Sequence, residues 1–228
     1  MALGWSGLGV KKKALLLFAA AFIAIGAMLF VPAGTLDYWQ AWAYIAILFV
    51  MVAFVGLYFL AKDPDFLERR FRMKEKERQQ KLVQKAGGAI FFICFLLPGL
   101  DRRFGWSTVP FELVLAADFL VVLGYGLIFL VFKENSFAGR TIRVEKGQKV
   151  VSTGPYSIIR HPMYLGMVLL CLATPIALGS YAAFWPFLLI IPLLAYRIRN
   201  EEEVLKRELE GYEEYCKKVR CRLVPGVW

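Results

Sequence analysis

The sequence predicts an all-α integral membrane protein of about six membrane helices. Three observations predict it. Hydrophobic residues make up 59% of the 228 residues, above the roughly 45–50% of an ordinary globular chain. These residues are grouped into long uncharged runs, and the mean hydropathy is +0.55. The basic residues collect between the runs, at Lys11–Lys13 and in residues 62–85. The net charge of +10 therefore marks cytoplasmic loops and anionic membrane lipid rather than nucleic acid.

Residues 14–36 carry no charge and form the first span, too long for a signal peptide and followed by further spans. Asp37 and Tyr38 lie at the far interface, with Trp39 and Trp42 as aromatic anchors. Residues 38–61 cross back. Residues 62–85 hold nine Lys or Arg against five Asp or Glu. This basic loop is cytosolic by the positive-inside rule, either as a surface helix on headgroups or as a solvated connector. Residues 86–100 are a shorter third span, with Pro98-Gly99 near its end and Asp101-Arg102-Arg103 beyond it. The fourth span, 111–132, contains Asp118 at membrane depth, where an ionisable group is either functional or paired. Arg102 and Arg103 are the partners available to it.

Residues 133–159 are polar. They alternate weakly around Glu145-Lys146-Gly147, as a small hairpin or an irregular loop. Residues 162–178 and 182–196 are short apolar runs joined by Gly179-Ser180, which forces a short antiparallel helical hairpin. Pro175, Pro186 and Pro192 imply kinks. Six crossings leave both termini cytoplasmic, in a prokaryotic inner membrane or the endoplasmic reticulum. The four cysteines have no zinc-like spacing and read as free thiols, and no metal site is expected.

Two polar groups remain to be explained. Arg160 and His161, the single histidine, precede Pro162, which suits the first turn of a helix. Polar groups at the mouth of a membrane helix imply a polar ligand, or else His161 is only a hydrogen-bonded helix cap. Further on, at 100° per residue, Leu205, Leu209, Tyr212, Cys216 and Val219 fall within about 60° of one line. That pattern predicts a cytosolic amphipathic helix from Ile198, provided Gly211 does not break it. Glu201 and Glu202 flank the apolar stripe and Glu203 points away. Arg197 can pair with Glu201, or the acidic run can simply be solvated at a helix start.

The motifs Gly154-Pro155-Tyr156, Arg160-His161-Pro162-x-Tyr164-x-Gly166, Arg197-x-x-x-Glu201-Glu202-x-x-Leu205 and Tyr212-x-x-Tyr215, then Arg222-Leu223-Val224-Pro225, follow in order. Together they resemble the isoprenylcysteine carboxyl methyltransferase and phospholipid methyltransferase superfamily over roughly residues 120–228. Leu209-Glu210-Gly211-Tyr212 is one residue shorter than the usual Phe-Gly-x-x-Tyr. The resemblance implies S-adenosylmethionine as methyl donor. It places Arg160, His161, Pro162, Tyr164 and Gly166 on one wall of the cofactor site, with Tyr156, and Arg197, Glu201 and Glu202 on the other. It adds Gly124 and Gly126, which by themselves also read as a helix-packing device, as a membrane Gly-x-Gly, and implies catalytic roles for Arg197, Glu201 and His161. The implied acceptor is a lipophilic small molecule or lipid: an isoprenylcysteine carboxylate, a phospholipid amine or a thiol. Residues 111–228 are then a catalytic region integrated with the membrane helices of 1–110. An NADPH-dependent membrane sterol reductase is the alternative enzyme, and a transporter the alternative outside enzymes.

Overall fold

The computed structural model describes residues 9–71, 78–138, 144 and 147–228, without the side chains of 78–83. Two helices of 24 residues open the chain, α1 (Val10–Ala33) and α2 (Trp39–Lys62). The first ends at Gly34, whose φ of +66° lets its N–H bond back to Phe30. A short amphipathic helix, α3 (Pro64–Phe71), follows and buries Phe66 and Leu67. Its first turn is capped by Asp63, whose carboxylate accepts the Phe66 N–H at 2.9 Å.

The next helix, α4 (Arg78–Phe104), departs from expectation at both ends. It starts inside the stretch read as a basic loop, and it contains Asp101-Arg102-Arg103 rather than stopping before them. Asp101 stays in the helix because its carboxylate has partners there. It accepts the N–H and the hydroxyl of Ser107, each at 2.7 Å, and the hydroxyl of Ser180. Lys74 and Lys76 of the basic stretch lie outside the described residues.

Helix α5 (Phe111–Glu134) packs along α6 (Pro162–Ala177). They cross where two glycines face each other. A Cβ on Gly166 would sit 2.9 Å from the Gly124 carbonyl oxygen, and one on Gly124 would sit 3.1 Å from that of Gly166. Only glycine permits this approach. Asp118, on α5, is buried, and its Oδ1 has no hydrogen-bond partner among the described residues. Arg102, expected to pair with it, turns instead to the Asp37 carbonyl at 2.8 Å.

After the turn at Gly179-Ser180 the chain does not form one helix over 182–196. It forms α7 (Phe184–Leu188), then α8 (Ile190–Glu208), then α9 (Tyr212–Lys218). The break falls at Leu189 because Pro192 has no N–H for the carbonyl of Leu188. Helix α8 then runs past Tyr196 without interruption. The single amphipathic helix expected from Ile198 also breaks: Leu209 is extended, and Gly211 has a φ of +79°. The predicted stripe still converges, because α9 folds back so that Leu209, Tyr212, Tyr215 and Val219 pack with Leu205 and Cys216. Between α5 and α6 no strand is present among the described residues. Thr141, Ile142 and Arg143 of the expected hairpin lie outside them.

By length and composition α1, α2 and α5 can cross a membrane, and α6 is apolar but has 16 residues. The protein is an integral membrane protein, and the described helices form one bundle around a core drawn from α1, α2, α4, α5, α6 and α7.

Candidate active site

A cavity of about 830 Å³, counting its open mouth, lies where the start of α6 meets α8 and α9. The hairpin at Gly179-Ser180 sets this meeting, because it returns α8 alongside α6. Tyr164 on α6 reaches two residues of α8. Its hydroxyl accepts from Arg197 Nε at 2.9 Å and donates to Glu201 Oε2 at 2.5 Å. So the expected pair of Arg197 and Glu201 is bridged by a buried phenol. All three residues line the cavity.

Glu202 has a different place. Its side chain is 3% exposed, and it does not line the cavity. Oε1 accepts from Arg160 Nε at 2.7 Å and His161 Nε2 at 3.2 Å, and Oε2 accepts from Arg222 Nε at 2.9 Å. A carboxylate only accepts, so Nε2 carries the histidine proton. Burial acts to raise the Glu202 pKa, but the bonds from His161, Arg160 and Arg222 outweigh it and hold the carboxyl at about 2. Two guanidinium groups and an imidazole thus meet one buried anion, the condition under which burying it is tolerable.

Arg160 and His161 are fixed from the backbone as well. The N–H of Arg160 donates to the Cys221 carbonyl and that of His161 to the Arg222 carbonyl. Arg160 Nη1 donates to the carbonyls of Val219 and Arg220. His161 is the N-cap residue of α6 and Pro162 its first helical residue, as the sequence predicts. The His161 side chain makes no cap bond. It is turned to Glu202 instead.

Tyrosines line the rest. Asn135, just past α5, donates to the Tyr156 hydroxyl at 3.1 Å, and the Tyr215 hydroxyl donates to the Tyr156 carbonyl at 2.7 Å. Burial pushes Tyr156 up to about 12, and Asn135 opposes the shift. Tyr212 is pushed well above the ordinary range by burial and then by the charge of Glu202. Both phenols are therefore neutral at pH 7. The Tyr212 hydroxyl is buried in the cavity wall with no hydrogen-bond partner among the described residues. Leaving such a group unpaired costs about 1–3 kcal/mol, so it points to a polar ligand or to water.

The lip at residues 136–138 is braced from the first half of the chain, which the sequence left without a role. Arg70 of α3 lies over the Phe132 ring at 4.6 Å and donates to the Ala138 carbonyl at 3.3 Å. Its neighbour Arg69 donates to the Ser136 carbonyl at 3.2 Å. Phe137 and Ala138, held this way, line the cavity.

Of the residues expected at the site, Tyr156, Arg160, His161, Tyr164, Arg197 and Glu201 line the cavity. Pro162, Gly166, Gly124, Gly126 and Glu202 do not. Gly124 and Gly166 instead set the α5–α6 approach, and nothing lies within 4 Å of a Cβ placed on Gly126. Asn135, Gln148 and Lys149 line the cavity without having been singled out. Asn135 had one signal, a polar residue three positions after an apolar span.

Residues 113–210 match the family model described as phospholipid methyltransferase. Over 105 residues the chain is 33% identical to a Delta(14)-sterol reductase of Mus musculus, covering 42% of this chain and 25% of that protein. Over 76 residues it is 34% identical to Protein-S-isoprenylcysteine O-methyltransferase of Schizosaccharomyces pombe, covering 32% of each. The chain thus spans a quarter to a third of the curated relatives it matches. Its fold is similar to that of a eukaryotic intramembrane Ras methyltransferase, isoprenylcysteine carboxyl methyltransferase. The TM-score is 0.51 at 17% identity, over 94% of this chain and 77% of that one. The family model and the S-isoprenylcysteine O-methyltransferase match support the superfamily that the sequence motifs resemble.

Proposed function

We infer that the chain is a membrane methyltransferase of the isoprenylcysteine carboxyl methyltransferase and phospholipid methyltransferase superfamily, using S-adenosylmethionine. The observation that carries this reading is the Tyr164–Arg197–Glu201 bridge in a tyrosine-rich cavity, inside the segment that matches the family model. The residues present fit the cofactor. Arg197 and Lys149 can meet its carboxylate, and Glu201 its amino group. Tyr156, Tyr212 and Tyr215 offer ring faces for the adenine, and the Tyr212 hydroxyl offers a hydrogen bond. When bound, the cofactor supplies a methyl group on a sulfonium. What the protein contributes is positioning, the main requirement of an in-line transfer. Arg160 and His161 form a wall that Glu202 keeps in place, and Tyr164 holds Arg197 and Glu201 in register.

The acceptor is a lipophilic molecule with a nucleophilic head: an isoprenylcysteine-like carboxylate, a thiol or a phospholipid amine. It would reach the cavity from the bilayer past Phe137, Ala138 and Met163. The cavity then faces the cytosol, with the basic stretches Lys11–Lys13 and 62–85 on the same side. A carboxylate or thiolate needs no base, whereas an amine does.

A second reading, an NADPH-dependent reductase, is favoured by the sterol reductase match alone. Titration of the purified protein with each cofactor separates the two. S-adenosylmethionine should bind and NADPH should not; the opposite result replaces the first reading with the second. Glu201→Gln should weaken donor binding about tenfold or more, while Glu203→Gln, on an exposed side chain, should leave it unchanged. Mass spectrometry of lipid extract incubated with labelled donor identifies the acceptor.

A further inference from the structure

Segment 219–228 lies beyond the part of the chain that matches the family model, which ends at residue 210. It nevertheless wraps the wall of the cavity. Its carbonyls at Val219, Arg220, Cys221 and Arg222 take hydrogen bonds from Arg160 and His161. The segment is itself closed into a compact turn. The Trp228 carbonyl accepts the N–H groups of Arg222, Leu223 and Val224, and the Arg222 guanidinium lies 5.4 Å from the Trp228 ring centre. Leu223 and Trp228 pack against the cluster of Tyr164, Leu194 and Ile198. So one short segment touches α6, α8 and the Arg160–His161 pair.

Arg222 is the point where these contacts meet the charge. Glu202 Oε1 is already shared by Arg160 and His161, and Oε2 accepts from Arg222. With Oε2 held, the carboxylate cannot rotate about its bond to the side chain. Oε1 therefore keeps one position against both Nε of Arg160 and Nε2 of His161. Without Arg222 a buried oxygen loses its cation, the carboxylate turns or draws in water, and the two wall residues lose a common fixed partner.

We propose that Arg222, braced by Trp228, is a positioning residue for donor binding: it acts through Glu202 to set Arg160 and His161 at the cavity wall. This rests on the methyltransferase reading. Arg222 need not touch the donor itself, and it does not line the cavity.

The test uses the full-length protein in detergent, with four measurements: S-adenosylmethionine Kd, acceptor KM, kcat and thermal midpoint. Arg222→Ala should raise the donor Kd by about tenfold or more while the acceptor KM stays unchanged. Arg222→Lys keeps the charge and should recover most of the affinity. Val227→Ala, on a side chain 80% exposed in the same segment, should change nothing. Should Arg222→Ala fail to fold, Trp228→Ala and the Lys variant carry the test. Trp228→Ala removes the brace while leaving the carbonyl, and should give an intermediate loss of donor affinity. A lowered thermal midpoint with an unchanged donor Kd in the folded variants would show Arg222 to be a structural tie and overturn the proposal. So would equal losses in donor Kd and acceptor KM. If the unaltered protein binds no S-adenosylmethionine, it is the methyltransferase reading that fails.

Discussion

Glu202 shows how one residue's pKa becomes a property of the whole site. Its carboxyl is held at about 2, below the ordinary 4.5. A group with a lowered folded pKa stabilises the fold above its unfolded pKa and loses that contribution as pH falls. The stabilising effect of Glu202 should therefore be complete above about pH 5 and vanish between pH 4.5 and 2. Acid unfolding of Glu202→Gln against the unaltered protein checks this. The variant should be less stable by about 3–5 kcal/mol near neutrality, and the gap should close toward pH 2. A gap independent of pH would mean that the loss is one of shape and not of charge. The sequence placed Glu202 at the edge of an apolar stripe but could not say which cations it meets. Arg222 is 20 residues away and Arg160 is 42.

At the scale of elements, the glycines of α5 and α6 separate packing from chemistry. A Cβ on Gly166 would come 2.7 Å from Ile128 Cγ1 and 2.9 Å from the Gly124 carbonyl. Gly166→Ala must push α6 off α5 and should cost about 1–3 kcal/mol. Gly126→Ala meets nothing and should be neutral or gain up to about 1 kcal/mol from helix propensity. Thermal unfolding of the two variants side by side decides the matter; similar losses from both would refute the packing assignment. The Gly-x-Gly pattern was visible in the sequence, yet its two members have unlike surroundings. Spacing on one helix does not reveal which of two glycines faces a neighbour. The break at Leu189, by contrast, is legible once Pro192 is considered, because a missing N–H acts locally.

At the scale of the molecule, two polar clusters sit at separate places in the fold. One is the cavity wall around Glu202. The other is buried Asp101, with Ser107 and Ser180, which ties the end of α4 to the turn before α7. None of these three residues lines the cavity. Asp101→Ala should cost about 2–4 kcal/mol through the hydroxyls and N–H it leaves unpaired, and yet leave donor affinity unchanged in protein that remains folded. A fall in affinity parallel to the loss of stability would mean that the two clusters are coupled.

The sequence by itself determined the helical membrane class, the positions of α1, α2, α5 and α6, the Pro162 start and the Gly179-Ser180 hairpin, whereas the two walls at 160–166 and 197–202 entered only through the family resemblance. The class, the helices, the start and the hairpin follow from local rules: apolar length, and proline and glycine geometry. Only the tertiary structure decided that Glu202 turns away from the cavity, that a phenol stands between Arg197 and Glu201, that α3 braces the lip at 136–138, and that residues 219–228 close over Arg160 and His161. The physical reason is the same for each. A buried charge or hydroxyl takes whatever partner the packed chain brings within about 3 Å, and those partners come from segments tens of residues apart, whose meeting no local pattern encodes.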